Sequence, residues 1–222
     1  MRRGVVFDFD GVLADSEGLH LAAFQDVLSA RGCTLARATY FDRYLGFDDR
    51  DLLQAFLTDH SLQVPDAELD AIVAEKGRKY DARVQGGLIL FPAAAACVAR
   101  LGVSFALGIA SGSLHEEIAN ILRANHLEQA FAVVVGADDV ARSKPAPDSY
   151  AEVVKRLDVR PEHAVAIEDS HWGLMAAKAA GLKAIGITTS YPRHALHLAD
   201  TVVDSLDEVT PDSIARLLDV RS

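Results

Sequence analysis

Four short clusters put acids, hydroxyls and one lysine where they could handle phosphate. The first is Asp8-Phe9-Asp10-Gly11-Val12. Residues two apart on an extended chain point the same way, so Asp8 and Asp10 can share one site. Close carboxylates repel, which predicts that one of the two keeps its proton unusually well and acts as an acid. Gly11 permits a sharp exit for the backbone. The second cluster is Ser111-Gly112-Ser113. A small hydroxyl and a glycine ahead of a helix suit an anion, because free N–H groups and the helix dipole face it. Ser113 could equally be a simple helix cap. In the third, Arg142 to Asp148, two prolines stiffen a loop around Lys144, a compact point charge suited to a phosphoryl group. The fourth, Glu168-Asp169-Ser170, brings two more acids to a helix start, with Ser170 as a candidate cap. Four carboxylates against one lysine would repel a phosphate dianion. A bound Mg²⁺, which favours carboxylate oxygens, would offset that repulsion.

Each cluster follows a short apolar run, and those runs are what must position it. Gly4 to Asp8, Phe105 to Ala110, Ala132 to Val135, Ala164 to Ile167 and Ala184 to Ile187 read as strands buried on both faces. Helical patterns lie between them at His115 to Asn125, Ser149 to Leu157 and Gly173 to Ala180, with Gly181 as a stop. The alternation predicts an α/β fold, a doubly wound (Rossmann-like) and mainly parallel sheet. Ligands of such sheets bind beyond the carboxyl ends of the strands, so the four clusters should converge on one mouth. The stretch from Ser16 to Val84 breaks the pattern, being helical throughout. It predicts an inserted α-helical cap domain over residues 16–86, with the α/β core formed by residues 1–15 and 87–222. Gly86-Gly87 and Pro92 mark the return to the core.

The 222 residues suffice for one domain carrying an insertion. Half are hydrophobic, a globular composition. A net charge of -10 argues against nucleic acid and anionic membranes as partners. No apolar run is long enough to span a bilayer, and no signal peptide is evident. Cys33 and Cys97 make no disulfide framework or metal motif and are expected as buried free thiols. A cytoplasmic monomer is expected.

The four motifs, in this order, resemble the haloacid dehalogenase superfamily. The likeness is to its branch of small phosphatases and β-phosphoglucomutase-like enzymes with a helical cap, and it spans nearly the whole chain. It implies a Mg²⁺-dependent phosphatase in which Asp8 attacks phosphorus and forms an aspartyl-phosphate, while Asp10 serves as general acid and then base. It also implies that Mg²⁺ is held by Asp8, the Asp10 carbonyl, Glu168 and Asp169. Ser111, the Gly112 N–H and Lys144 would hold phosphoryl oxygens. His20 would position the acid and substrate, and Arg50 would touch substrate. In β-phosphoglucomutase a lysine precedes the cap glycine and an arginine follows it closely, and both help hold a second phosphate. Here Leu45 stands in the lysine position and Arg50 is displaced by one. That departure favours a phosphatase for a small phosphorylated metabolite, a sugar phosphate or phosphoglycolate, over the alternative of a phosphomutase. A receiver-like signalling domain is the alternative of another class, and the inserted helices argue against it. Lys76 and Lys79, on a later cap helix, are expected to be solvated.

Overall fold

The computed structural model describes residues 2–45, 47–84 and 89–219. Six strands form one sheet in the order β3-β2-β1-β4-β5-β6. They are β1 (Gly4–Phe7), β2 (Ala106–Ala110), β3 (Val133–Val135), β4 (Ala164–Glu168), β5 (Lys183–Ile187) and β6 (Thr201–Val203). Every pairing is parallel, and β1 runs between β2 and β4 with Phe7 opposite Ile109 and Ile167. The strand order therefore reverses at β1, the switch point where such sheets bind ligands.

Alternation along β1 divides the core. Val5 and Phe7 pack with Ile109, Val165 and Ile167 beneath α5 (Ala94–Gly102), α6 (His115–Ala124) and α9 (Pro211–Asp219). Val6 turns to the other face, with Ala110 and Ala166, beneath α7 (Asp148–Arg156) and α8 (His171–Ala179). Small alanines on that side let α8 approach closely. The expected strands and helices are present to within a residue or two. Three elements were not anticipated, the first being α5. β6 has only three residues, too few for a periodic signal, and α9 packs its apolar stripe on the sheet through Ile214.

Between β1 and α5 the chain is helical, as expected: α1 (Glu17–Ser29), α2 (Arg37–Thr39) leading into a wider turn over Tyr40–Tyr44, α3 (Asp49–Asp59) and α4 (Asp66–Val84). Leu21, Phe24, Leu53, Phe56, Leu69 and Ile72 make a third apolar cluster within this insertion. Asp48 caps α3 by accepting from the Asp51 N–H at 2.8 Å. The two connections with the sheet run side by side, because Asp15 N–H donates to the Ile89 carbonyl and Phe91 N–H to the Leu13 carbonyl. The expected boundary at Gly86-Gly87 lies outside the described residues, as does Gly46 of the cap loop. Cys97 is buried, and its burial raises the thiol pKa to about 11. Cys33, expected to be buried too, is only half-buried, beyond the end of α1.

Candidate active site

The carboxyl ends of β1, β2 and β4 deliver the first, second and fourth clusters, and the loop before α7 delivers Lys144. Asp8 leaves β1 with its N–H still bonded to the Ile167 carbonyl at 2.9 Å. Two residues on, Asp10 points into the same pocket, which Glu17, His20, Ser113 and Lys144 also line. Ser111, Glu168 and Asp169 stand behind that wall, all buried. Gly11 makes the convergence possible. Its φ is +76°, and a Cβ there would lie 2.0 Å from Asp169 Oδ2.

Lys144 is buried, and its Nζ lies 2.7 Å from both Asp8 Oδ1 and Glu168 Oε1. Burial opposes its charge, but the two carboxylates outweigh burial and keep it protonated. Burial pushes Asp8 upward, Lys144 opposes this, and the charges of Glu168 and Asp169 add to it. Asp169 is raised by burial and by Glu168. Glu168 accepts from Lys144, from Tyr150 Oη at 3.3 Å, and from Ser170 through its N–H at 2.8 Å and its hydroxyl at 2.9 Å. Ser170 also caps α8 through the Gly173 N–H, as expected.

Asp10 lies in a nest of donors. Ser113 Oγ donates to it at 2.6 Å, Ser111 Oγ at 3.2 Å and Ser16 Oγ at close range. His20 Nε2 is 3.3 Å from Asp10 Oδ1, the oxygen that Ser16 also meets. Burial raises its pKa, yet His20 and the hydroxyls outweigh burial and leave it below the usual carboxylate range. For the close pair the shifts run opposite to the assigned roles: burial raises Asp8, whereas Asp10, the assigned acid, is lowered despite its burial by His20 and the hydroxyls. Sequence spacing pointed to repulsion between the two, whereas burial and the charges of Glu168 and Asp169 are what raise Asp8. Spacing could not show that α1 and the turn after β2 supply Asp10 with its own donors.

Further corrections concern the helical insertion. Lys76, expected to be solvated, is fully buried, with Nζ 2.7 Å from His20 Nδ1 and 2.7 Å from Asp49 Oδ1. Its position was readable: Leu69, Ile72, Lys76 and Tyr80 form one i, i+3, i+4 stripe that faces inward. His20, itself buried, stacks on Tyr80 with ring centres 4.0 Å apart. A chain of contacts thus runs Asp49–Lys76–His20–Asp10. Ser113 does not cap α6; Leu114 holds that place, and its N–H donates to Glu117. Arg50, expected at the substrate, lines a cavity that shares Asp49 and Gly112 with this pocket, and it pairs with Asp66 and Asp70 of α4. Glu17 carries no family assignment in the sequence reading, yet it lines the pocket and accepts from Tyr40 Oη at 2.8 Å. Burial and the neighbouring Asp10 charge raise its pKa to about 8.

A parallel sheet with an acidic, lysine-bearing pocket at its switch point and helices inserted after β1 defines a class, and the family comparison agrees. Residues 5–187 match the haloacid dehalogenase-like hydrolase family, and the chain belongs to it. Among curated relatives, Protein CbbY of Cereibacter sphaeroides is 31% identical over 217 residues, covering 94% of each chain. A phosphoglycolate phosphatase of Salmonella typhimurium is 29% identical over 230 residues, covering 94% of this chain and 91% of its own. Among solved structures, a mutant CbbY from Rhodobacter sphaeroides in complex with xylulose-(1,5)bisphosphate superposes with a TM-score of 0.84 at 32% identity. That match covers 94% of this chain and 96% of the other.

Proposed function

We propose that the protein is a Mg²⁺-dependent phosphatase that hydrolyses small phosphomonoesters through an aspartyl-phosphate on Asp8. The observation that carries this reading is the meeting of Asp8, Lys144 and Asp10 in one pocket, with Lys144 on Asp8 and donors from α1 and the turn after β2 on Asp10. Phosphatases among the relatives support it.

The site fits a divalent cation. Asp8, Glu168 and Asp169 each offer an oxygen, and these oxygens lie within 4.8 Å of one another. Asp169 Oδ2 is buried with no hydrogen-bond partner, an omission costly enough to imply an absent ligand. In this reading Asp8, Asp169 and the Asp10 main-chain carbonyl hold Mg²⁺. Glu168, whose oxygens already accept four bonds, chiefly holds Lys144 and joins the metal only by exchanging one of them. When bound, the ion supplies the positive charge that lets a phosphate dianion enter among carboxylates.

Lys144, Ser111 and the Gly112 N–H hold the phosphoryl oxygens, and an Asp8 oxygen attacks phosphorus. The bond from phosphorus to the leaving oxygen breaks, its electron pair stays with that oxygen, and Asp10 supplies the proton. Asp10 must therefore gain a proton on substrate binding, and the arriving dianion favours this by raising its pKa. Water then gives a proton to Asp10 and attacks phosphorus, which releases orthophosphate and restores Asp8. His20, held by Lys76, orients Asp10. The insertion over residues 16–86 acts as a cap that excludes bulk water from the core formed by 1–15 and 87–222. The reading includes a cytoplasmic monomer acting on a sugar phosphate or a phosphoglycolate-like metabolite. Among the described residues no helix is long and apolar enough to cross a membrane.

The test is phosphate release from a panel of phosphorylated metabolites with Mg²⁺, beside Asp8→Asn. We expect release that Asp8→Asn abolishes while its circular dichroism and melting stay near wild type. Release near the wild-type rate from Asp8→Asn removes Asp8 as nucleophile. Conversion of β-glucose 1-phosphate to glucose 6-phosphate with little free phosphate would replace hydrolysis by phosphomutase chemistry.

A further inference from the structure

Beyond the reacting pocket, and sharing Asp49 and Gly112 with it, lies a second cavity between the helical insertion and the sheet domain, of about 180 Å³. Its walls are Asp48 and Asp49 at the start of α3, Asp138 after β3, and the apolar side chains of Val73 and Leu114. A leaving group attached to a phosphoryl held at Asp8 has this space beside it. The chemistry of the walls therefore bears on what that group can be.

The three carboxylates are fixed by the fold. Asp48 caps α3, Asp49 is bonded to buried Lys76, and Asp138 accepts from the His115 N–H at 2.9 Å. None can swing away from an arriving anion without losing a structural bond. The cations are committed. Lys144 faces the reacting phosphoryl between Asp8 and Glu168. Lys76 is sealed behind Asp49 and His20. Arg50, the one cation on this cavity's wall among the described residues, is tied to Asp66 and Asp70.

We infer that this cavity receives the end of the leaving group remote from the transferred phosphate, and that it selects an uncharged or amine-bearing end against a second phosphate or a carboxylate. Hydroxyls can donate to the fixed carboxylates, an ammonium is attracted to them, and carbon faces meet Val73 and Leu114. A second anion meets the charges of Asp48 and Asp138, while Asp49 is balanced by Lys76 and Arg50 is already paired on the surface. This narrows the substrate class of the phosphatase reading and rests on it. It also sets this chain apart from the relative crystallised with a bisphosphate.

The test compares kcat/KM for glucosamine 6-phosphate, glucose 6-phosphate and 6-phosphogluconate, and for ribulose 5-phosphate against ribulose 1,5-bisphosphate, with p-nitrophenyl phosphate and Asp8→Asn as controls. The expected order is amine at or above neutral, and neutral at least tenfold above anion. The gap should narrow with added salt, because the carboxylates are partly solvated. A double variant, Leu114→Lys with Asp138→Asn, should raise the ratio of bisphosphate to monophosphate kcat/KM by tenfold or more. Asp8-dependent release that favours 6-phosphogluconate or the bisphosphate in the wild type, or a ratio the double variant leaves unmoved, overturns this inference and leaves the phosphatase reading standing. Absence of Asp8-dependent release from every compound, p-nitrophenyl phosphate included, overturns the phosphatase reading and this inference with it.

Discussion

Asp8 and Asp10 are separated by one residue, yet their surroundings send their pKa values in opposite directions. Asp8 faces buried carboxylates with one lysine to offset them. Asp10 faces three hydroxyls and a histidine. Glu17 is another perturbed acid and the easiest to test, because it bonds to Tyr40 and has no proposed place at the metal. Its pKa rises from an ordinary 4.5 to about 8. The folded protein keeps this proton over a range in which the unfolded chain has lost it, so the group's contribution to stability falls as pH rises from about 4.5 to about 8. Glu17→Gln has no proton to lose. In urea denaturation of metal-free protein, the variant's stability relative to wild type should be greater at pH 8 than at pH 5. An equal difference at both pH values would show that Glu17 is ordinary. The four core motifs were legible because acids, a serine and a lysine after apolar strands need no tertiary information to look unusual. Ser113 and Ser16 were not, since serines near helix starts have commonplace roles, and for Lys76 the inward stripe of α4 gave the position but not the partners. Only the folded contacts give them Asp10 and His20 as partners.

The elements act by bringing backbone close to side chains. α8 packs so tightly against β4 that a Cβ on Gly173 would lie 1.4 Å from Glu168 Oε1. Glu168 is fully buried and bonded on both oxygens, so it cannot yield without releasing Lys144. Gly173→Ala should therefore cost on the order of 1–3 kcal/mol, the usual range for overpacking, and lower kcat by at least tenfold. Chemical denaturation and steady-state rates would check both, and a variant near wild type in both would show that Glu168 does not hold Lys144 in place. The sheet and most helices could be read from periodicity, because parallel strands buried on both faces give continuous apolar runs. β6, at three residues, carries no period, and the wide turn over Tyr40–Tyr44 has no sequence signature that separates it from an α-helix.

The molecule as a whole is a sheet domain and a helical insertion joined by two adjacent strands of backbone and a few contacts across the mouth. Tyr191 Oη donates to the Phe41 carbonyl, Ser143 Oγ to Asp51, and Phe47 lies 5.9 Å from Trp172, ring centre to ring centre. Trp172 is the sole tryptophan, so its emission reports on this contact. Removing both polar contacts with Tyr191→Phe and Ser143→Ala should shift the emission to longer wavelength and raise KM more than it lowers kcat. Unchanged emission and KM would mean that these contacts do not hold the cap. The insertion was visible as a break in the strand–helix alternation. The contacts between the insertion and the sheet domain were not, because they depend on which side chains meet across the mouth.

The central claim is a covalent phosphate on Asp8. During turnover with Mg²⁺ and a hydrolysed substrate, rapid quenching and borohydride reduction convert an acyl phosphate to homoserine, and peptide mass spectrometry locates it. Homoserine at position 8, absent from enzyme quenched without substrate, is the predicted result. Homoserine at another acid, or none while phosphate is being released, would contradict the account.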